Sequence, residues 1–354
     1  KYHDLSLTLA AFVGVLSEPE LWSADAGIVL QAYLPDAFPA LQELVAWANR
    51  RHNDGGGQIK IRLVKGANLA MERVDAAVHG WEQAPFATKH QTDANYKRCL
   101  DWLLTPEHLT GVRLGLASHN LFDVAWTHLL AQSRGVSYRV QFEMLEGMAP
   151  AQAAAVAEAT NPSAAGGMLL YTPAVRAENF DVAISYLFRR LEENASDDNF
   201  LRHLFDMTPG SVSFREQAER FRTALAHRHA IADGPSRTQN RLLPAQPAYR
   251  IGQPFRNEPE TDPSLAPNRT WIDRILASEP GGVRRPITVT IAEIDHHLER
   301  ARSGAATMSG LTRDERQRLL HRVGDALADR RGDLIAAMMH EAGKTLAEAD
   351  VEVA

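Results

Sequence analysis

Between about residues 28 and 195 the sequence repeats one unit, which consists of a short apolar run, a polar corner and an amphipathic helix. Strands that alternate with helices pair in parallel through right-handed crossovers. The predicted strands are Ile28–Tyr33, Ile59–Val64, Val112–Ala117, Tyr138–Phe142 and Gly167–Tyr171. The predicted helices are Phe38–Arg51, Asp93–Leu104, Phe122–Gln132, Ala151–Glu158 and Phe180–Asn194. The chain is therefore expected to form an α/β fold around a parallel sheet.

Five such units fit either a doubly wound sheet or part of a (β/α)₈ barrel. No Gly-x-Gly-x-x-Gly sequence follows a predicted strand, and Gly55-Gly56-Gly57 precedes one instead. The missing dinucleotide-binding fingerprint favours the barrel. A barrel needs eight units, and the sequence starts without Met inside a predicted helix, Leu5–Leu16. About three further units are therefore expected ahead of Lys1, and the chain is expected to be a fragment.

Composition narrows the class of protein. A chain of 354 residues that is 45% hydrophobic and 23% charged can bury the cores of two domains. The net charge of −6 argues against a general nucleic-acid binder. Cys99 is the only cysteine, so a disulfide framework is excluded, and we interpret it as a packed apolar residue. No apolar run approaches the ~20 residues of a membrane span, and a cytoplasmic location is expected.

A change in composition after the repeated units predicts a second domain. Residues 235–286 are rich in Pro, Asn, Arg and Gln with little periodicity, which is typical of an extended connector. The amphipathic helices predicted beyond it are Ile291–Ala301, Thr312–Arg331 and Leu334–Ala349. The predicted domains are residues 1–230, a connector at 231–285, and the start of another domain at 286–354.

Polar side chains collect where the predicted strands end, which is the edge at which barrels carry their chemistry. The strands end in, or run into, Gln31 and Tyr33, Arg62–Asn68, Ser118–Asn120, Glu143 and Tyr171. A strand that is buried on both faces rarely holds an unpaired charge, so Arg62 between Ile61 and Leu63 indicates more than a structural role.

These strand ends suggest the chemistry of a ligand. Lys65 with Gly66, and the sequence Thr88-Lys89-His90, suit a pyrophosphate because they offer cations, a hydroxyl donor and close backbone approach. Arg62 can direct its guanidinium at a redox-active ring. A flavin fits this set, and a phosphorylated sugar fits it nearly as well.

Two adjacent arginines, Arg189 and Arg190, lie on the helix that follows the fifth strand. Successive helical residues point about 100° apart, so the two side chains do not share one stripe of the helix. If the helix lies across the mouth of a pocket, both guanidiniums can hold one small carboxylate. The alternative is a surface helix with two solvated arginines.

The sequence Arg62-Leu-Val-Lys-Gly-Ala-Asn68 resembles the proline dehydrogenase barrel, more closely that of the bifunctional proline utilization A proteins. The resemblance also rests on Gln31-Ala-Tyr33, Ser118-His-Asn120, Leu145-Glu-Gly-Met148 and Tyr171…Arg189-Arg190-x-x-Glu193-Asn194, and it covers residues 1–230. Residues 250–354 resemble the connector and first helices of the aldehyde dehydrogenase domain of those proteins, through Phe255-Arg-Asn-Glu-Pro259 and Glu341-Ala-Gly-Lys-Thr345.

The resemblance implies FAD as cofactor and the oxidation of L-proline to Δ1-pyrroline-5-carboxylate by hydride transfer to flavin N5. It places Arg62 beside N5. It assigns the rest of the FAD to Gln31, Val64, Lys65, Gly66, Thr88, Lys89, His119, Asn120, Glu143 and Phe200. Arg189 and Arg190 would clamp the proline carboxylate, Tyr171 would cover the ring and Leu145 would pack against it. Glu193 would hold a guanidinium or a cofactor hydroxyl.

The resemblance further implies an NAD-dependent second domain that oxidises glutamate semialdehyde, whose NAD-binding region is expected outside this chain. It implies electron transfer to a quinone at the membrane surface, with possible peripheral attachment at the inner face, and a homo-oligomer. No metal site and no nucleic-acid partner are expected.

Three departures from the family pattern are visible. Asn68 and Leu69 stand where many relatives carry aromatic residues, and Glu143 stands where some carry Gln. A substrate-side lysine, an aspartate and a gating glutamate are expected ahead of Lys1, so this chain alone is expected to be inactive. The competing hypotheses are another (β/α)₈ flavoenzyme that acts on a small imine or folate-like substrate, and a non-catalytic interaction fragment.

Overall fold

The computed structural model of the chain describes residues 5–160, 167–172, 174–195, 199–244, 256–278 and 290–354. The chain divides into two compact units. The first contains Lys1–Asp75 and Gln83–Ser236, and the second contains Ala76–Glu82 and Arg237–Ala354. The domain limits at residues 230 and 285 stay predictions.

Five parallel strands form the sheet of the first unit, and their order in the sheet is their order in the chain. The strands are β1 (Ala26–Gln31), β2 (Ile59–Val64), β3 (Val112–Ala117), β4 (Val140–Leu145) and β5 (Met168–Tyr171). A doubly wound sheet reverses its strand order at a switch point, whereas the described strands follow one another in a single direction. Successive units of a barrel wall have this order, and the predicted parallel α/β architecture is confirmed.

The strand limits agree with the sequence pattern in part. Strands β2 and β3 have the predicted bounds. Strand β4 begins at Val140 instead of Tyr138, because Ser137–Arg139 form a 3₁₀ turn, and it continues to Leu145. Strand β1 ends at Gln31, although the backbone N–H of Tyr33 still donates to the Lys65 carbonyl at 2.7 Å.

Helices follow the strands as the repeated unit predicts. The helices from residue 5 to 226 are α1 (Leu5–Leu16), α2 (Ala37–Asn53), α3 (Leu69–His79), α4 (Lys89–Leu103), α5 (Leu121–Ser133), α6 (Pro150–Ala159), α7 (Phe180–Ala195), α8 (Phe200–His203) and α9 (Val212–Ala226). The sequence pattern does not predict α3, α8 or α9. The other six lie within a few residues of their predicted limits.

Residue alternation gives the sheet two chemically different faces. Alternate strand residues have no exposed surface and belong to the core that the strands share with the helices: Leu30, Ile61, Leu63, Leu114 and Leu116. The intervening residues form the second face, on which Val29 is 47% and Tyr171 is 41% exposed. The charged residue Arg62 lies on this second face, which resolves the conflict between its charge and its apolar neighbours in sequence.

Arg51 connects the chain segments that precede strands β1 and β2. Its guanidinium is buried between the rings of Trp22 and Trp47, at 5.6 and 5.7 Å. It contacts five backbone carbonyl oxygens, those of Leu16, Leu21, Trp22, Ala24 and Gly57, at 2.6 to 3.3 Å.

Gly56 and Gly57 of the Gly55-Gly56-Gly57 triplet leave the space that this contact needs. A Cβ atom at Gly56 would lie 2.7 Å from Arg51 Cγ, and one at Gly57 would overlap the Ala24 carbonyl. Close packing therefore accounts for the glycines at positions 56 and 57, without a phosphate-binding role for this loop.

The second unit is helical in its described residues. Its helices are α10 (Ala266–Ala277), α11 (Ile291–Ser309), α12 (Arg313–Asp329), α13 (Arg331–Ala342) and α14 (Leu346–Val351). The prediction of one helix over Leu334–Ala349 is wrong, because Gly343 ends α13 in the left-handed region (φ +66°) and Thr345 caps α14. The segment predicted as an extended connector, residues 235–286, contains one helix in its described part, α10.

A buried polar network joins α13 and α14 to the segment before α10. Asp350 Oδ1 is 2.7 Å from Arg331 Nε, and the Thr261 N–H donates to Asp350 Oδ2 at 2.6 Å. Arg331 and Asp350 are both 3% exposed. Within the described ranges, no helix is both long and apolar enough to cross a membrane.

Replacing Arg51 by Met is expected to lower the free energy of unfolding by about 3 kcal/mol, because five buried or partly buried carbonyl groups lose a charged hydrogen-bond donor. Urea denaturation at pH 7 measures the change. The neighbouring Arg50 is exposed, and Arg50→Met is expected to change stability by less than about 0.5 kcal/mol. Equal losses in both variants would contradict this role of Arg51.

Candidate functional site

The carboxyl ends of the five strands bring most of the predicted site residues to one region. Strand alternation places six of them on the second face of the sheet: Gln31, Arg62, Val64, Glu143, Leu145 and Tyr171. In a parallel sheet of βα units this edge and face carry the chemistry of a barrel.

Glu143 of β4 lies between two cations of β2, Lys60 and Arg62, and these three residues with Gln141 form the first cluster. Its Oε2 atom is 2.6 Å from Arg62 Nε, and its Oε1 atom contacts Lys60 Nζ, which also donates to Gln141 Oε1. The Glu143 side chain is only 2% exposed. A buried carboxylate is tolerated when it is paired and hydrogen-bonded, and the two cations provide that pairing.

Gly115 of β3 makes room for these side chains. It is the register partner of Arg62 on one side and of Gln141 on the other. A Cβ atom at Gly115 would overlap Glu143 Oε1 and would lie 2.8 Å from Lys60 Cε. The missing side chain in β3 is therefore the space in which the ion pairs form.

Tyr171 of β5 packs its ring against the Arg62 guanidinium of the same cluster. Its ring centroid is 4.9 Å from the Arg62 guanidinium carbon, a cation–π distance. With 41% of its surface exposed, the ring also offers an open side to a ligand.

Lys65, which follows β2, belongs to a second cluster of charges. Its Nζ atom is 2.5 Å from Asp93 Oδ1 and 2.8 Å from Asp123 Oδ2. Lys89 contacts Asp93 at 2.7 Å, and the buried Lys97 contacts Asp123 at 2.9 Å. Three cations thus share two carboxylates, and one positive charge is in excess.

Burial and these ion pairs shift the titration of the second cluster. Burial opposes the charge of Lys65, but Asp123 and Asp93 outweigh it and raise the pKa of Lys65. Burial also opposes the carboxylate charges, yet Lys65 and its neighbours hold the pKa of Asp93 and of Asp123 below their usual values. Burial and repulsion from Lys65 lower the pKa of Lys89. An additional anion near Lys89 would relieve that repulsion.

Gly66 turns the chain sharply after Lys65. Its φ of +121° is open to glycine but rarely to other residues, and a Cβ atom there would lie 2.5 Å from the Tyr33 ring. The Tyr33 hydroxyl donates to Glu72 Oε1 at 3.2 Å, so the ring that Gly66 approaches is itself held. Asn68 is 5% exposed and follows this turn.

Several predicted cofactor ligands also have local structural tasks. The Asn120 side chain caps α5 by accepting from the N–H groups of Phe122 and Asp123, and Thr88 forms a capping box with Gln91 at the start of α4. His119 Nε2 accepts the Leu145 N–H at 3.2 Å. Burial lowers the pKa of His119, which favours the neutral ring that this hydrogen bond requires.

The remaining predicted residues lie on α7 and α8. The Phe200 ring is buried and meets Phe122 of α5 edge-on at 6.3 Å. The Arg190 guanidinium lies over the Tyr186 ring of its own helix at 5.3 Å. The side chains of Arg189 and Glu193 lie outside the described part of the chain. The arginine clamp therefore stays a prediction.

Sequence reasoning missed the residues that complete the two charge clusters. These are Lys60, Gly115 and Gln141 in the first cluster and Asp93, Lys97 and Asp123 in the second. A signal for the first cluster was available, because Lys60-x-Arg62 and Gln141-x-Glu143 place like-facing polar residues on strands that flank Gly115. Cys99 was correctly predicted: it is fully buried, and burial raises the pKa of its thiol to about 12.

The described geometry suits a flavin nucleotide. A cation under an exposed aromatic ring, a strand-end turn at a positive-φ glycine and an excess of positive charge beside it match an electron-accepting ring with an anionic tail. The fold and the site together are those of a (β/α)-barrel protein with a charged ligand site at the carboxyl ends of its parallel strands.

Comparison with known proteins identifies the family. Residues 1–203 match the model of the proline dehydrogenase family, and residues 284–354 match that of the aldehyde dehydrogenase family. Because the first match covers more than half of the chain, the chain belongs to the proline dehydrogenase family. This result favours the proline dehydrogenase interpretation over the other flavoenzyme classes.

Curated relatives and solved structures agree with that assignment. The bifunctional protein PutA of Escherichia coli is 26% identical over 99% of this chain, which spans 28% of that protein. Human mitochondrial proline dehydrogenase 1 is 32% identical over 47% of this chain and 26% of its own length. The structure of proline utilization A from Corynebacterium freiburgense has a TM-score of 0.75 and 43% identity over 98% of this chain and 32% of its own. The chain thus spans between a quarter and a third of these bifunctional relatives.

Replacing Asp123 by Asn is expected to lower the free energy of unfolding by about 3 kcal/mol, because Lys97 stays buried without its carboxylate. Urea denaturation at pH 7 measures the loss, and the double variant Asp123→Asn/Lys97→Met is expected to recover most of it. Since the carboxylate pKa values are lowered by folding, this stabilisation is present above about pH 4 and is lost below it. An equal loss in the single and double variants would contradict the pairing.

Proposed function

We propose that this chain supplies part of an FAD-dependent proline dehydrogenase site. In the full-length gene product that site oxidises L-proline to Δ1-pyrroline-5-carboxylate. One observation carries the proposal: Arg62 is fixed at 2.6 Å by Glu143 beneath the Tyr171 ring, at the carboxyl edge of a parallel sheet. The family membership of residues 1–203 supports it.

The flavin, when bound, supplies the hydride acceptor. Arg62 presents a fixed positive charge to the side of the ring that gains electrons. Lys65, Gly66, Thr88 and Lys89 hold the pyrophosphate, for which the excess positive charge of the second cluster provides the attraction. The other residues that hold the cofactor are Gln31, Val64, His119, Asn120, Glu143, Glu193 and Phe200.

The substrate lies between the sheet face and α7 in this proposal. Arg189 and Arg190 bind the proline carboxylate through charge-assisted hydrogen bonds. Tyr171 closes on the pyrrolidine ring from β5, where its exposed side is available for contact. Leu145, its register neighbour on β4, packs against the same ring and excludes water.

The proposal also covers a second activity of the full-length gene product. Residues 284–354 match the aldehyde dehydrogenase family, which supports an NAD-dependent second activity that oxidises glutamate semialdehyde. We also propose a quinone as electron acceptor, a peripheral position at the inner membrane face and a homo-oligomer, and the family membership of residues 1–203 supports these proposals.

Proline is expected to bleach the flavin absorbance of the purified full-length gene product under anaerobic conditions. The reason is that substrate oxidation transfers electrons to the bound flavin. Absorbance near the flavin band is recorded with millimolar L-proline and, as control, with D-proline. Bound flavin that L-proline leaves unbleached would refute the proposed substrate, and a purified protein without flavin would refute the cofactor.

Arg190→Met is expected to raise the KM for proline at least tenfold with little loss of FAD, because one charge-assisted hydrogen bond is worth about 1.5–3 kcal/mol. Steady-state kinetics and flavin content are measured in the full-length gene product. Arg176 is strongly exposed ahead of α7, at 83% for its side chain, and Arg176→Met serves as the matched control. Equal losses of FAD and of proline affinity would mean that Arg190 is structural.

A further inference from the structure

Lys60 has no part in the function proposed above, yet it is one of the two cations that contact Glu143 in the first cluster. It stands two residues before Arg62 on the same face of β2. Its ammonium contacts both Glu143 Oε1 and Gln141 Oε1. The side chain is 30% exposed, whereas Glu143, its partner, is 2% exposed.

The position of Lys60 depends on the sheet around it. Lys60 Cε fills space that a Cβ atom at Gly115 would occupy. Gln141 and Glu143 reach it from β4, on the far side of β3. Three strands thus cooperate to bring this ammonium to a carboxylate that Arg62 already contacts at 2.6 Å.

The formal charges of Lys60, Arg62 and Glu143 show that Lys60 changes the net charge of the cluster. Arg62 and Glu143 alone form a neutral pair, so the carboxylate would cancel the positive charge that Arg62 offers to a ligand. With Lys60 included, two cations share one carboxylate, and the cluster keeps one positive charge. The Lys60 and Arg62 side chains are only 30% and 26% exposed, so solvent screens this charge less than it would at a fully exposed site.

We propose that Lys60 is a positioning and charge-compensating residue for Arg62. By sharing Glu143, it leaves the sheet face positively charged and makes a bound flavin easier to reduce, because reduction adds negative charge to the ring. This inference rests on the proposed function and assigns Lys60 a role in tuning the cofactor.

The test is the midpoint potential of the bound flavin in the full-length gene product. Lys60→Met is expected to disfavour the reduced form about tenfold, a shift of about 30 mV to more negative potential for a two-electron couple. Glu143→Gln, which keeps both cations, is expected to shift the potential in the opposite direction. The double variant is expected to return toward the wild-type value, and Lys60→Arg is expected to retain it.

Arg113 provides the matched control. It is the register neighbour of Lys60 on β3 and is exposed, so Arg113→Met removes a cation from the same face where solvent screens it. Its potential is expected to stay within a few millivolts of the wild type, a shift well under twofold in the reduced-to-oxidised ratio.

The outcomes separate this inference from the proposed function. Wild-type protein without flavin would refute both. Flavin bound at full occupancy, with equal potentials in the wild type, Lys60→Met and Glu143→Gln, would overturn the role of Lys60 alone; thermal unfolding would then report a purely structural ion pair. If Lys60→Met does not retain flavin, Glu143→Gln decides, and an unchanged potential in that variant overturns the inference.

Discussion

The site depends on the ion pairs that the buried carboxylate of Glu143 forms with Lys60 and Arg62. Strand β2 carries Lys60 and Arg62 on one face, and like charges at that spacing repel each other unless a counter-ion lies between them. Glu143 provides it from β4, and Gly115 of the intervening strand provides the space. The register of three strands is therefore tied to one charge pattern. A shift of one residue in any of them would turn these groups into the apolar core.

The second cluster extends the same principle from the sheet to the helices. Lys65 leaves the end of β2 and meets Asp93 of α4 and Asp123 of α5. Buried Lys97 on α4 balances Asp123. These largely buried ion pairs fix the end of β2 relative to α4 and α5. They also hold the long lysine side chains in one conformation. Such preorganisation suits a site that binds charged groups.

The sequence predicts local features well and long-range pairing poorly. Strands β2 and β3 and the capped start of α12 were predictable, because apolar alternation and capping residues are local signals. The split of the last predicted helix at Gly343 shows that a single positive-φ glycine can override helical periodicity. Arg62 was recognisable as unusual, but its partner lies 81 residues away in sequence. Only the register of β2, β3 and β4 brings the two together.

Arg51 is held by carbonyl groups and aromatic rings, with no carboxylate among its described hydrogen-bond partners. An arginine keeps its proton throughout the range in which proteins are studied, and carbonyl oxygens do not titrate there. The anchorage of β1 therefore contains no group that titrates in acid, whereas the second cluster depends on Asp93 and Asp123, whose pKa values folding lowers. The two ends of the same strands are thus stabilised by different chemistry: the amino ends by hydrogen bonds that acid leaves unchanged, and the carboxyl edge by ion pairs of the second cluster that are lost once Asp93 and Asp123 take up protons.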